Sequence, residues 1–124
     1  MDDAERRNTG TTARRRVLGH EYVDQAAART TPLTTEFQDL ITRYAWGEIW
    51  TRPGLDERAR RVLVMGTLIA LGRFDEFGMH ARAALKHGGF TEDELKEIVL
   101  QQAIYCGLPA ANRAFEVLAE VCGG

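Results

Sequence analysis

Two side chains in this sequence sit among residues that do not suit them: a carboxylate and an imidazole. Glu48 lies in Tyr44-Ala45-Trp46-Gly47-Glu48-Ile49-Trp50-Thr51-Arg52-Pro53-Gly54-Leu55, which contains both tryptophans of the 124-residue chain. At helical spacing Phe37, Leu40, Ile41, Tyr44 and Glu48 share one face. The acid therefore falls in an apolar stripe, where a carboxylate is costly unless something compensates it. Arg43, Trp46 and Trp50 occupy a second face. An acid so placed marks a site or a subunit interface, or else ends its helix and turns to water. Structural ion pairs also put acids in apolar surroundings, so spacing alone leaves both readings open.

The imidazole is His80. Arg73, Glu76, Phe77, His80, Ala81 and Ala84 fall within one broad helical face. A lone histidine there is an ordinary core residue with a satisfied hydrogen bond, or part of a polar strip of cation, carboxylate and imidazole where a pocket meets the helix. His87 suits a helix C-terminus, and His20 belongs to a weakly patterned segment. Tyr105 and Asn112 are candidate hydrogen-bonding groups toward a ligand or simple surface residues. Cys106, next to Tyr105 and without a neighbouring base, reads as pocket wall and not as nucleophile. Three histidines and two cysteines without ligand spacing argue against a metal site.

The elements that position these residues are helical. Residues 1–12 are polar and aperiodic and are expected to form a mobile tail, leaving one domain over 13–124. Helices are predicted over about 13–29, 34–50, 56–71, 73–87, 91–106 and from Pro109 onward. Their signals are Pro53-Gly54 as a turn, Asp56 as an N-cap, Gly88-Gly89 as a stop, and Thr91-Glu92-Asp93-Glu94 as a capping box with Phe90 and Leu95 as a staple. Val62 to Leu71 is apolar nearly all round and reads as a buried central helix. Gly66 within it implies close approach of another helix. No stretch alternates like a strand, so the fold class is all-α, a bundle of about six helices. The second helix is apolar on two faces, and its Trp46/Trp50 face requires a partner chain or a ligand. A net charge of -2 gives no general attraction to nucleic acid or anionic membrane, despite Arg14-Arg15-Arg16. The longest apolar run is too short to span a bilayer, and a reduced cytoplasmic setting is expected.

The runs FQDLITRYAWGEIWTRPGLDERARRVLVMGTLIALGR and MHARAALKHGGFTEDELKEIVLQQAIYCGLPAANRAFEVL resemble the carboxymuconolactone decarboxylase family, over about Val17 to Val121. The wider superfamily has an alkylhydroperoxidase-like fold and includes members with a Cys-x-x-Cys pair followed four residues later by histidine. Aligning that histidine with His80 puts Arg73 and Glu76 at the two cysteine positions, which removes the thiol chemistry. The resemblance implies an all-helical homo-oligomer, commonly a hexamer. It also implies cofactor-free decarboxylation of 4-carboxymuconolactone to 3-oxoadipate enol-lactone in protocatechuate catabolism (the β-ketoadipate pathway). On that reading His80 and Glu48 are catalytic, Glu48 orienting His80 or holding it protonated. Arg73, with Arg43 or Arg52, binds substrate carboxylates; Tyr44, Trp46, Trp50, Glu76, Tyr105 and Cys106 complete the pocket. A thiol peroxidase, or a non-catalytic helical ligand-binding module, are the alternatives.

Overall fold

A computed structural model describes residues Met1–Gly123. Seven α-helices and one π-helical segment make up the chain, with no strand among the described residues. They divide into two compact units, Met1–Asp56 and Glu57–Gly124.

The first unit holds α1 (Asp3–Leu18), α2 (His20–Ala28), α3 (Thr35–Leu40) and the π segment Ile41–Ile49. The expected tail is instead the start of α1. Asp2 accepts from the Glu5 N–H at 2.8 Å while Glu5 reaches back to the Asp2 N–H at 3.2 Å, a reciprocal cap that stops the helix from fraying. The single helix expected over 13–29 is broken at Gly19, whose φ of 89° only glycine adopts without strain.

α3 runs into the π segment without a break, Leu40 and Ile41 both keeping helical dihedrals. Beyond them the ladder widens by one residue, so that Trp50 N–H bonds Ala45 O at 3.0 Å. Widened turns of this kind are rare and concentrate at functional sites. The widening rotates later side chains away from their 3.6-residue phase. Trp46 is consequently buried and stacks on Trp50, with centroids 4.9 Å apart. The face left uncovered carries Phe37, Leu40, Tyr44 and Ile49. This reverses the expectation that the tryptophan face needs an outside partner.

α1 lies directly against the π segment, backbone on backbone. A Cβ on Gly10 would collide with Thr42 O, and one on Gly47 would stand 2.5 Å from Arg6 O. Only glycines allow that approach.

The second unit contains α4 (Glu57–Ala70), α5 (Phe74–His87), α6 (Glu92–Cys106) and α7 (Leu108–Gly123). Its core joins Met65 and Ile69 of α4, Phe77, Ala81 and Ala84 of α5, Leu95 and Val99 of α6, and Ala114, Val117 and Leu118 of α7. The capping box at Thr91 and Glu94 forms as expected, with Phe90 and Leu95 both buried. α4 is not buried all round. It buries the stripe Arg61–Met65–Ile69, while Val62, Leu63 and Leu71 are exposed. At Gly66 it is the α6 side chain of Gln102 that comes close, its amide donating to Gly66 O at 3.0 Å.

Gly47→Ala separates packing from propensity. Alanine in an open helical position would stabilise by about 1 kcal/mol. Here the new methyl meets backbone that cannot move aside, so urea unfolding should show a loss of about 1–3 kcal/mol.

Candidate active site

Glu48 and His80 belong to different units, and each is best described within its own. Glu48 Oε1 accepts from Arg6 Nε at 2.7 Å, across the α1–π contact. The compensation its surroundings call for is therefore a guanidinium from the segment taken for a tail. Arg6 is raised above its ordinary pKa chiefly by this hydrogen bond. Glu48 is about one-third exposed: neither sunk in apolar surroundings nor released to water.

Around that pair lies a network of charge. Asp39 accepts from Arg7 at 2.7 Å and from Arg43 at 2.8 Å, and Arg43 also reaches Asp3 at 3.4 Å. Asp39 is held below the usual carboxylate range, first by the Arg7 hydrogen bond and then, despite some desolvation, by Arg43. The guanidinium groups of Arg6 and Arg43 both stand over the Tyr44 ring, at 5.4 and 5.2 Å. Arg43 is thus engaged by two carboxylates and a ring, which leaves it poorly placed to take a substrate carboxylate. Trp46 and Trp50 form a stacked pair, and Arg52 is exposed beyond the segment's end.

In the second unit His80 lies largely buried on α5, close to the core residues Phe77, Ala81 and Ala84. Its Nδ1 is buried and has no hydrogen-bond partner among the described residues. Burial, helped by the nearby Arg61 guanidinium, lowers its pKa to about 4. His80 is therefore a neutral imidazole at pH 7. Of the two expected roles for Glu48, orienting His80 or holding it protonated, the lowered pKa favours neither a charged ring nor its need for a counter-ion, and the neutral N–H is the available donor. Arg73 is the N-cap residue of α5, with φ -94° and ψ 71°, and so leaves the helical face that spacing assigns to it. It and Glu76 are exposed, whereas His80 is sheltered. Tyr105 is exposed near the C-terminal end of α6, and Cys106 accepts a long contact from the Gln102 amide at 3.6 Å.

Two arginines escape the sequence reading. Arg61, the one charged residue among those fully buried, stands 3.7 Å from Glu57. A Cβ on Gly88 would come within 2.9 Å of its Nε, so the glycine makes room for it. Its signal is positional: Arg61, Met65 and Ile69 recur every four residues, so the buried stripe begins one turn earlier than its apolar members. Arg6 is visible only once Asp2 and Glu5 are read as a cap. No group of three or more His, Cys, Asp or Glu residues among the described residues is placed to hold a metal ion.

The comparisons agree with one another. A family model described as the carboxymuconolactone decarboxylase family matches residues 35–120. A 4-carboxymuconolactone decarboxylase from Acinetobacter baylyi is 42% identical over 121 residues, covering 98% of this chain and 90% of its own. A nitrosuccinic acid decarboxylase from Metarhizium robertsii is 43% identical over 118 residues, covering 94% of this chain and 82% of its own.

A direct test of the site's charge state is an NMR titration of His80. Unfolded histidine takes up its proton near pH 6.5, whereas folded His80 resists until about 4. Between these values the unfolded chain binds more protons, so the contribution of His80 to stability is complete above pH 6.5 and is lost as pH falls toward 4. The ring resonances should stay those of neutral imidazole at pH 5.5, and His80→Gln should flatten the stability slope in that window.

Proposed function

The chain belongs to the carboxymuconolactone decarboxylase family, and we propose that it converts 4-carboxymuconolactone to 3-oxoadipate enol-lactone without a cofactor, in the β-ketoadipate pathway. The observation that carries the site assignment is the buried, unpartnered His80 Nδ1, because native interiors rarely leave a polar atom unsatisfied without a functional reason.

The substrate supplies its own electron sink. Loss of CO2 leaves an electron pair that runs through the ring double bond into the lactone carbonyl, giving an oxyfuran-like enolate. Protonation of a ring carbon, by a proton that comes ultimately from solvent water, then completes the enol-lactone. The protein's tasks are to hold a dianion, stabilise the enolate oxygen and supply a proton.

Arg73 is the proposed carboxylate clamp, since a guanidinium fork matches a carboxylate in two-point fashion. Arg52 is the second candidate; Arg43, already paired, serves the scaffold. Tyr44 and Trp50 in the first unit, with buried Trp46 stacked behind Trp50, and separately Tyr105 and Cys106 in the second are proposed surfaces against which the departing carboxylate sheds water. Neutral His80 donates its N–H toward the enolate oxygen, where a preorganised donor contributes about 10²–10³-fold. Arg61 keeps that imidazole neutral, and a neutral donor does not also attract the substrate carboxylates away from their clamp. Glu48, fixed by Arg6, is proposed to orient the reacting groups, and Glu76 to border the site.

The relative that acts on nitrosuccinic acid sharpens the substrate class. Nitrosuccinic acid and 4-carboxymuconolactone are both succinic acids carrying an electron-accepting group: a nitro group in one, a conjugated lactone in the other. Each loses the carboxylate on the activated carbon and pushes negative charge onto oxygen. A site that grips the succinate skeleton and donates to a developing oxyanion serves both, so nitrosuccinate is the second reading.

Homo-oligomerisation is part of the proposal. Leu63, Leu71, Ile104, Tyr105 and Leu108 are all more than half exposed, an apolar surface that a second copy would cover. No described helix is long and apolar enough to cross a membrane, and a cytoplasmic location is proposed on the strength of the catabolic role.

Purified protein mixed with 4-carboxymuconolactone should consume the lactone absorbance and release one CO2 per molecule. Nitrosuccinate tested alongside should turn over more slowly. His80→Ala should lower kcat at least about tenfold with helix content intact. An inert wild-type protein would defeat the assignment, and normal turnover in His80→Ala would remove the imidazole from the mechanism.

A further inference from the structure

Within the first unit α1, α2 and the α3–π helix enclose a cavity of about 210 Å³ that the decarboxylation site does not use. Arg14, Gln38 and Thr11 bring its polar groups; Val23, Ala27 and the threonine methyls bring its apolar ones. No carboxylate lines it. Arg14 Nη1 donates to Gln38 Oε1 at 3.2 Å, a neutral acceptor, and Arg14 Nε is buried with no hydrogen-bond partner. Arg6, Arg7, Arg15 and Arg43 of the first unit each meet a carboxylate directly. A half-buried cation that lines a cavity and meets only a neutral acceptor there leaves a counter-charge for an anion to supply.

The other groups decide which anion. The hydroxyls of Thr30 and Thr42 already donate to backbone, to Ala26 O at 3.2 Å and Gln38 O at 2.8 Å, and so are not free donors to a ligand. The donors that remain are the outer edge of the Arg14 guanidinium, whose Nε itself is out of reach, the Gln38 amide nitrogen and the Thr11 hydroxyl. These suit the two oxygens of one carboxylate, while the methyl-lined remainder suits a short hydrocarbon tail. The geometry points to this cavity as a binding site for a short-chain monocarboxylate, with Arg14 and Gln38 on the carboxylate and Val23 and Ala27 against the tail. Burial also lowers the Arg14 pKa, against a small opposing effect of Tyr22, as expected of a cation awaiting its counter-ion. The inference is independent of the decarboxylase reading, since none of its residues is assigned to that reaction.

Sodium propionate is the probe, with equal sodium chloride as the ionic-strength reference. At about ten times its dissociation constant, propionate should raise the apparent folding constant of the wild type about tenfold over chloride. Arg14→Gln, which keeps an amide where the guanidinium was, should respond less than about twofold. Equal responses in the two proteins, or equal effects of chloride and propionate on the wild type, would overturn the site. If Arg14→Gln fails to fold, nuclear Overhauser effects on the wild type decide: cross-peaks from the propionate methyl to Val23 and Ala27 support the site, and their absence at saturating propionate rejects it.

Discussion

The contact on which the first unit depends is the bare crossing of α1 over the π segment. Gly10 and Gly47 let two helical backbones touch where any side chain would hold them apart. That closeness places Arg6 within 2.7 Å of Glu48 and Arg7 within 2.7 Å of Asp39. An exposed ion pair adds little to stability by itself. The value of these pairs is positional: they fix the rotation of a widened helix whose side chains follow no ordinary phase. The glycines set the distance, and the charges set which carboxylate is presented and how.

The second unit solves a complementary problem. It buries a permanent cation, Arg61, beside an imidazole that can lose its charge. Two cations in one low-dielectric interior repel, and the histidine yields because its proton is the cheaper to release. The outcome is a neutral donor near the core, with an unsatisfied Nδ1. Both arrangements rest on arginines outside the recognisable motif, Arg6 and Arg61. Arg6 fixes a carboxylate in place; Arg61 helps to discharge an imidazole.

Much of this was legible in the sequence, and the exceptions have physical causes. The capping box at Thr91 and the stop after His87 depend on local chemistry, and both hold in the fold. The face of the second helix does not follow from a 3.6-residue count, because the ladder is wider through Ile41–Ile49. The first turns of α1 were missed because that helix packs through Gly10 and Ala13, which leave no apolar stripe to count. Residue types at Glu48 and His80 drew attention correctly to two unusual groups, but not to their neighbours. Which of Arg58, Arg60 and Arg61 is buried follows from tertiary packing, and only the four-residue recurrence with Met65 and Ile69 hints at it.

The central claim is that Arg6 governs Glu48 in the working enzyme, and a double-mutant cycle on decarboxylation reads it directly. kcat/KM would be measured for wild type, Arg6→Gln, Glu48→Gln and the double variant. The account predicts that each single change lowers kcat/KM and that the double variant falls no further than the worse single, a coupling of about tenfold or more. Losses that multiply, or an Arg6→Gln enzyme as active as wild type, would contradict it.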